Sequence, residues 1–443
     1  MGSSVNVALP SIGVGLDMTA VELAWVATSF LLTSSLLLVP FGRLGDMRGR
    51  KRVLTTGVGI YAVGSAIAGL SQNGAMLILA RVVQGAGGAM LASTAVAILV
   101  SVYGPGERGR VLGINAAALY SGLSVGPALG GLLTYSFGWR SVFLVNVPLG
   151  VALFLAALYR LPDQAPDRAA SGFDWRGFAT YAVFLIGGVY GMSQLPSPRG
   201  FVSLGVGLAG FLALLRVEGA TREPLIDIAL FRSNTSFAMS NLAAFLNYSA
   251  FYAATFLLSL YLQIVTGLPP QTAGLVLVSM PIIQAFVSPV AGRLSDKREP
   301  RVLASGGMAL TACALFLMSR FDATTSVVQV ALALAVLGLG IGFFSSPNTN
   351  AVMTSVDSTR YGVASATLST TRQVGMVLSM GIATLFIATR VGTVNLYATP
   401  VHLFVSAMQS TFQLCVVACL LGIIASIFRG TVHGSSSVNV EPG

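Results

Sequence analysis

The sequence reads Gly-Arg-Leu-Gly-Asp at Gly42 to Asp46, with Arg48, Arg50, Lys51 and Arg52 close behind. It repeats the pattern as Gly-Arg-Leu-Ser-Asp at Gly292 to Asp296, followed by Lys297, Arg298 and Arg301. A carboxylate four residues before a guanidinium, as Asp46 is before Arg50, lies within pairing reach on a continuing helix. The chemistry this suggests is the making and breaking of ion pairs. Asp46 with Arg43 and Arg50, and Asp296 with Arg293 and Lys297, form two candidate latches. The simpler alternative is that these cations only anchor a loop at a membrane face.

Two more arginines, Arg81 and Arg372, fall inside apolar runs. An Arg at the centre of a membrane helix costs roughly 2.5–3.5 kcal/mol on insertion scales, so each must face a polar cavity or a partner. Gln84 shares the helical face of Arg81, Asn115 on the next helix is a further partner, and Gln373 follows Arg372. A snorkelling Arg81 near the outer end is the alternative.

Other chemistry is missing. There is no nucleophile–base pair and no phosphate-binding GxxxxGK[ST] loop. Cys313, Cys415 and Cys419 lie in apolar runs without metal-ligand spacing and read as packing residues. His402 and His433 read as loop and tail residues. No enzyme, metal or cofactor is expected. A carboxylate buried within a span could carry protons, since burial raises its pKa, yet all 15 Asp and Glu residues fall in loops, in the tail or near helix ends. Glu22, beside Trp25, is the best remaining candidate.

The elements that carry these residues are membrane spans. Of the 443 residues, 54% are hydrophobic and 9% charged, and the mean hydropathy is +0.81; a soluble core cannot use so much apolar surface. Apolar runs of the length needed to cross ~30 Å of hydrocarbon recur about fourteen times. Alternating their direction gathers most of the 25 Lys and Arg residues on one side, leaving Arg140, Arg199, Arg320 and Arg390 on the other. By the positive-inside rule the basic side is cytoplasmic, the C-terminus included. The net charge of +10 is therefore topological, and no nucleic-acid partner is expected.

The duplicated motif predicts an all-α protein of two six-helix bundles. Residues 1–160 form the first bundle and 236–430 the second. Residues 161–235 hold two extra spans, and 431–443 form a polar tail. Duplicated bundles place a substrate site at mid-membrane between them. The first span has only about twelve residues before the outward loop, too few for a full crossing at ~1.5 Å per residue, so the helix is expected to extend upstream or to work as a half-helix. Asn247, Tyr248, Phe251, Tyr252, Gln284, Phe343, Phe344 and Asn348 are candidate cavity residues, with helix packing the alternative for several. Gly122, Gly126, Gly130 and Gly131 permit close helix approach, and Pro127 bends its helix.

These motifs resemble a known family. "GRLGDMRGRKR" resembles the loop signature of the major facilitator superfamily, "LILARVVQGAGGAM" at Leu77 to Met90 its fourth-helix motif, and "GLSVGPALGG" at Gly122 to Gly131 its antiporter motif. "WRSVFLVNVP", "PLIDIALFR" and "SPNTNAVM" are similar to stretches of the fourteen-helix drug:proton antiporter branch. The resemblance implies export of amphipathic or cationic compounds against protons by a monomer in the inner (plasma) membrane. A specific metabolite, peptide or lipid, or uncoupled transport, is the alternative. It also implies an acid just upstream of Asn6, where this chain has Met1.

Overall fold

The computed structural model describes residues 2–102, 108–162, 173–221, 225, 227–357, 360–392 and 399–430. Among them the chain forms seventeen α-helices, one π-helical turn and no strand. The helices are α1 (Gly2–Gly15), α2 (Ala20–Arg48), α3 (Arg50–Gly69), α4 (Gly74–Val102), α5 (Arg108–Phe137), α6 (Arg140–Leu144) and α7 (Asn146–Arg160). Next come α8 (Trp175–Ser193), α9 (Pro198–Ala220) and the short α10 (Ile228–Ser233). The chain continues with α11 (Thr235–Leu260), which runs into the π turn Tyr261–Val265, then α12 (Pro270–Leu277), α13 (Ser279–Ser295), α14 (Pro300–Met318), α15 (Val327–Thr354), α16 (Tyr361–Arg390) and α17 (Val401–Phe428).

Local signals set the ends of these helices. Thr19 and Glu22 form a reciprocal capping box on α2, and Ser326 and Gln329 do the same on α15. Pro198, Pro270 and Pro300 occupy first positions, where the missing N–H costs nothing. Gly49, at φ 94°, separates α2 from α3 in a backbone conformation that a side chain would strain.

Ten described stretches are long and apolar enough to cross a bilayer, fewer than the crossings expected from the sequence. Helix α1 has 14 residues, and α3, α5 and α8 are the other long helices packed among the ten.

One packing pattern occurs twice. Helix α4 lies against α2 and α3, α7 against α3, and α1 against α5; likewise α15 lies against α13 and α14, α17 against α14, and α11 against α16. Since lipid is as apolar as leucine, close backbone approach through small residues holds such helices together. A Cβ on Gly87 of α4 would strike the Gly57 carbonyl of α3, and one on Gly307 of α14 would strike the Gly340 carbonyl of α15. The two sets meet through α1 with α11, α5 with α12 and α13, and α2 with α16.

Helices α8 and α9 form a tightly packed pair beside the seam between α2 and α16. The Tyr181 hydroxyl lies 3.1 Å from Ser35 Oγ on α2, and Met192 packs on Gly381 of α16.

Candidate functional site

Arg81 is enclosed within α4, at 3% exposure. Its Nε donates to the Val26 carbonyl of α2 at 2.9 Å and its Nη1 to Gln84 Oε1 at 2.8 Å. Gln84 Nε2 then donates to Ser65 Oγ on α3 at 2.7 Å, and Ser65 donates to the Tyr61 carbonyl at 2.7 Å. The guanidinium also stacks 4.4 Å from the Phe30 ring centre. Two hydrogen bonds to a charged group contribute about 1.5–3 kcal/mol each and a desolvated cation–π contact up to about 2 kcal/mol. Together these exceed the insertion cost of the arginine. Among the described residues no hydrogen bond joins Asn115 to this chain of donors; Asn115 is half-buried on α5.

Arg372 is held less completely. Its Nη2 donates to Thr349 Oγ1 at 2.5 Å and its guanidinium lies 5.5 Å from the Tyr248 ring centre, while its Nε is buried without a hydrogen-bond partner. Gln373 beside it is half-buried.

Between the two packing sets, α1 and α11 meet along polar faces. Asn6 Nδ2 donates to Thr255 Oγ1 at 3.4 Å, Ser259 Oγ to the Asn6 carbonyl at 2.7 Å, and Gln263 Nε2 to the Val7 carbonyl at 2.9 Å. Gln263 sits in the π turn, which rotates it relative to an α-helical continuation. Tyr248, Tyr252, Thr255 and Ser259 follow the i, i+4, i+7, i+11 spacing of a single helical face. Sequence reasoning passed over Phe30, Ser65, Thr255, Ser259, Gln263 and Thr349, although the spacing of Thr255 and Ser259 from Tyr248 was available as a signal.

The same spacing corrects several cavity expectations. Asn247, Phe344 and Asn348 are fully enclosed, because they lie on the flank of α11 turned to α15 and on the matching face of α15. Asn348 Nδ2 donates to the Ser240 carbonyl at 3.2 Å, and its Oδ1 accepts from Arg429 at 3.1 Å. Phe251 is also core, its ring 5.1 Å from that of Tyr248. Gln284 is buried and Phe343 half-buried.

Glu22 needs the largest correction. It is exposed, and its Oε2 accepts from Thr19 N at 2.8 Å and Thr19 Oγ1 at 2.9 Å. The structure thus places Glu22 in a helix cap at the start of α2.

The glycine-rich stretch of α5 joins three helices. Ser4 Oγ of α1 donates to the Gly126 carbonyl at 2.8 Å, and a Cβ on Gly130 would strike the Ser4 backbone. A Cβ on Gly131 would strike the Pro270 carbonyl of α12, and one on Gly274 of α12 would strike the Pro127 carbonyl. Gly122 has open space around it. The interlock thus lies in the half of α5 remote from the Asp46 end.

At the Asp46 end Arg50 and Asp296 each bond within their own set. Arg50 Nε donates to Asp46 Oδ1 at 3.0 Å, with Nη2 at 2.9 Å, and Nη1 donates to the Ala97 carbonyl of α4 at 3.2 Å. Both side chains are about a third exposed, so the pair contributes about 0–1 kcal/mol and separates readily. Arg43 is half-buried. Asp296 differs from expectation: among the described residues no ion pair joins it to Arg293 or Lys297, and Arg293 is exposed. Its Oδ1 instead accepts from Asn350 Nδ2 of α15 at 3.5 Å. The reason is local, for Pro300 stands where the first copy has Arg50.

Duplicated helix packing around a polar seam with buried arginines defines a secondary transporter of small molecules. The chain belongs to the Major Facilitator Superfamily, whose family model matches residues 1–380 and 240–442. It is 28% identical to the riboflavin transporter RibZ of Clostridioides difficile, over 96% of this chain and 93% of that one. It is 31% identical to the tetracenomycin C resistance and export protein of Streptomyces glaucescens, over 88% and 73% of the two chains. The fold matches that of the peptide transporter POT with a TM-score of 0.70 at 14% identity, covering 97% and 92%. The protein is therefore a multi-pass plasma-membrane transporter with drug-resistance relatives, and not an enzyme.

Proposed function

We propose that this chain exports a specific small organic compound in exchange for protons, exposing the seam between α1 and α11 to each membrane face in turn. The observation that carries this reading is one-sided closure. The two sets interlock through α5 and α12 and bond through α1 and α11 towards one end, while at the other end Arg50 and Asp296 each bond to a helix of their own set. This supports a state open on the side of Asp46, which the positive-inside rule makes the cytoplasm. The loops are then latches that pair across the bundles when the other side opens.

Relatives named for riboflavin transport and for tetracenomycin C resistance and export support a defined metabolite or antibiotic over an open range of cations. The proposed organisation is a fourteen-crossing monomer. It has one bundle over residues 1–160, the α8–α9 insert within 161–235, a second bundle over 236–430 and a cytoplasmic tail. The tail, residues 431–443, lies outside the described residues.

A second reading, an uncoupled facilitator, has one observation in its favour: every described Asp and Glu sits at a helix end or in a connection. Riboflavin uptake into everted membrane vesicles carrying the chain, with and without an imposed pH gradient, separates the two. Gradient-dependent accumulation supports antiport, equal equilibration in both conditions supports the facilitator, and no movement of riboflavin removes it as a substrate.

A further inference from the structure

We propose that the interior site takes an organic anion, an aromatic acid or phenolate, rather than a cation. The inference deepens the export reading and rests on it.

Its basis is the placement of the buried charges. Arg81 comes from the first packing set and Arg372 from the second. Arg372 lies 5.5 Å from the Tyr248 ring of α11, and Arg81 stacks 4.4 Å from the Phe30 ring of α2. Tyr248 and Tyr252 are one turn apart, about 6 Å of helix rise, on the face that continues into the Thr255 and Ser259 contacts with α1.

No described carboxylate reaches the same depth. Asp17 lies between α1 and α2, and Asp322 between α14 and α15. Glu22, Asp46, Asp174, Glu218, Asp227, Asp296, Glu299 and Asp357 sit at helix ends or in connections. A lipophilic cation entering the seam would meet two like charges in a low-dielectric setting, where repulsion is strong. An anion would meet both with attraction, and a planar carboxylate matches the guanidinium fork. Arg372 Nε, buried and lacking an acceptor, is a donor left for such a ligand, since a buried unpaired donor is costly until something accepts from it. Tyr252 and Phe30, both half-buried, supply ring surface, which makes an aromatic body the natural companion of the acid group.

The test uses two xanthene dyes of similar size and opposite charge, fluorescein and rhodamine 123, with neutral riboflavin as a third probe. Binding to the purified full chain is read by fluorescence polarisation, and gradient-driven movement in everted vesicles. Fluorescein is expected to bind at least roughly tenfold tighter than rhodamine 123, a difference of about 1.4 kcal/mol. Arg372→Gln should remove most of that preference and Arg372→Glu should reverse it. Because loss of folding cannot produce a reversal, Arg372→Glu separates a charge effect from a structural one. Arg81→Lys, which keeps the charge, should retain the preference.

Rhodamine 123 binding as tightly as fluorescein would overturn the inference, as would binding of neither dye. Riboflavin movement in either case would leave the export reading standing. If none of the three compounds moves although fluorescein binds with the expected preference, the anion site stands and the export reading falls.

Discussion

The first half of the molecule closes its polar groups into pairs, and the second half leaves them partly open. Arg81 has two hydrogen bonds and a stacked ring, whereas Arg372 has one hydrogen bond and a buried Nε without a partner. Asp46 holds Arg50, and Arg50 reaches on to α4; Asp296, facing Pro300 instead of an arginine, makes one long bond to Asn350. Duplication supplied one scaffold twice. The residues that differ between the copies leave the first more firmly braced than the second.

This contrast is open to attack, beginning with the largest expected effect. Arg81→Ala strands Gln84 and the Val26 carbonyl and should cut transport roughly 100-fold, about 2.7 kcal/mol. Arg372→Ala should cut it roughly tenfold, about 1.4 kcal/mol. Initial rates in vesicles normalised to inserted protein give the comparison, and equal losses would erase the distinction between the halves.

Asp46→Asn should slow turnover roughly threefold to tenfold, in keeping with an exposed pair of about 1 kcal/mol, with substrate affinity unchanged. Asp296→Asn should leave turnover within about twofold, because a single long neutral-donor bond contributes little. A slower Asp296 variant would show that the second latch is the limiting one.

Pro300→Arg restores the residue of the first copy and should let Asp296 form an ion pair. Turnover is expected to fall by about twofold. Disulfide trapping across α13 and α15 should show a longer-lived closed loop, and unchanged trapping would mean that Pro300 does not account for the difference.

The smallest effect lies in the connections between α3 and α4 and between α14 and α15. The first is held by neutral Asn73, whose side chain accepts from Met76 N. The second is held by Asp322, whose carboxyl is kept below the usual carboxylate range, first by the Thr324 hydroxyl. A depressed carboxylate contributes its stability above the unfolded value, near 3.9, and loses it as pH falls through the folded value. Asp322→Asn should therefore lower Tm slightly at pH 7 and not below about pH 3. An unchanged Tm at pH 7 would assign no stability to that turn.

Much of the architecture was legible because bilayer physics leaves few options. Apolar runs, basic loops and a motif written twice point to duplicated helical bundles, and the spacing of Arg81 and Gln84 showed their shared face. The residues of α11 were harder. A helix apolar on all sides carries no stripe to tell its seam from its core, so Asn247 and Tyr248 looked equivalent although only the second lies on the face continuous with Thr255 and Ser259. Other features were readable and were missed. Thr19 and Glu22 have capping-box spacing, which already spends the acid at a helix start. Aligning the duplicated motifs puts Pro300 under Arg50, which already removes the second ion pair. Arg429 carried no such signal, because its place beside Asn348 depends on how α15 and α17 end in space.

The insert of α8 and α9 touches both sides of a seam that must shear if the halves rock. On one side its grip is directional, a tyrosine hydroxyl bonded to Ser35. On the other it is the thioether end of Met192 resting on a bare glycine, a flexible side chain against a smooth surface. A directional bond resists sliding and a greased contact permits it. The insert thus spans the seam with a directional contact on one side and an apolar one on the other.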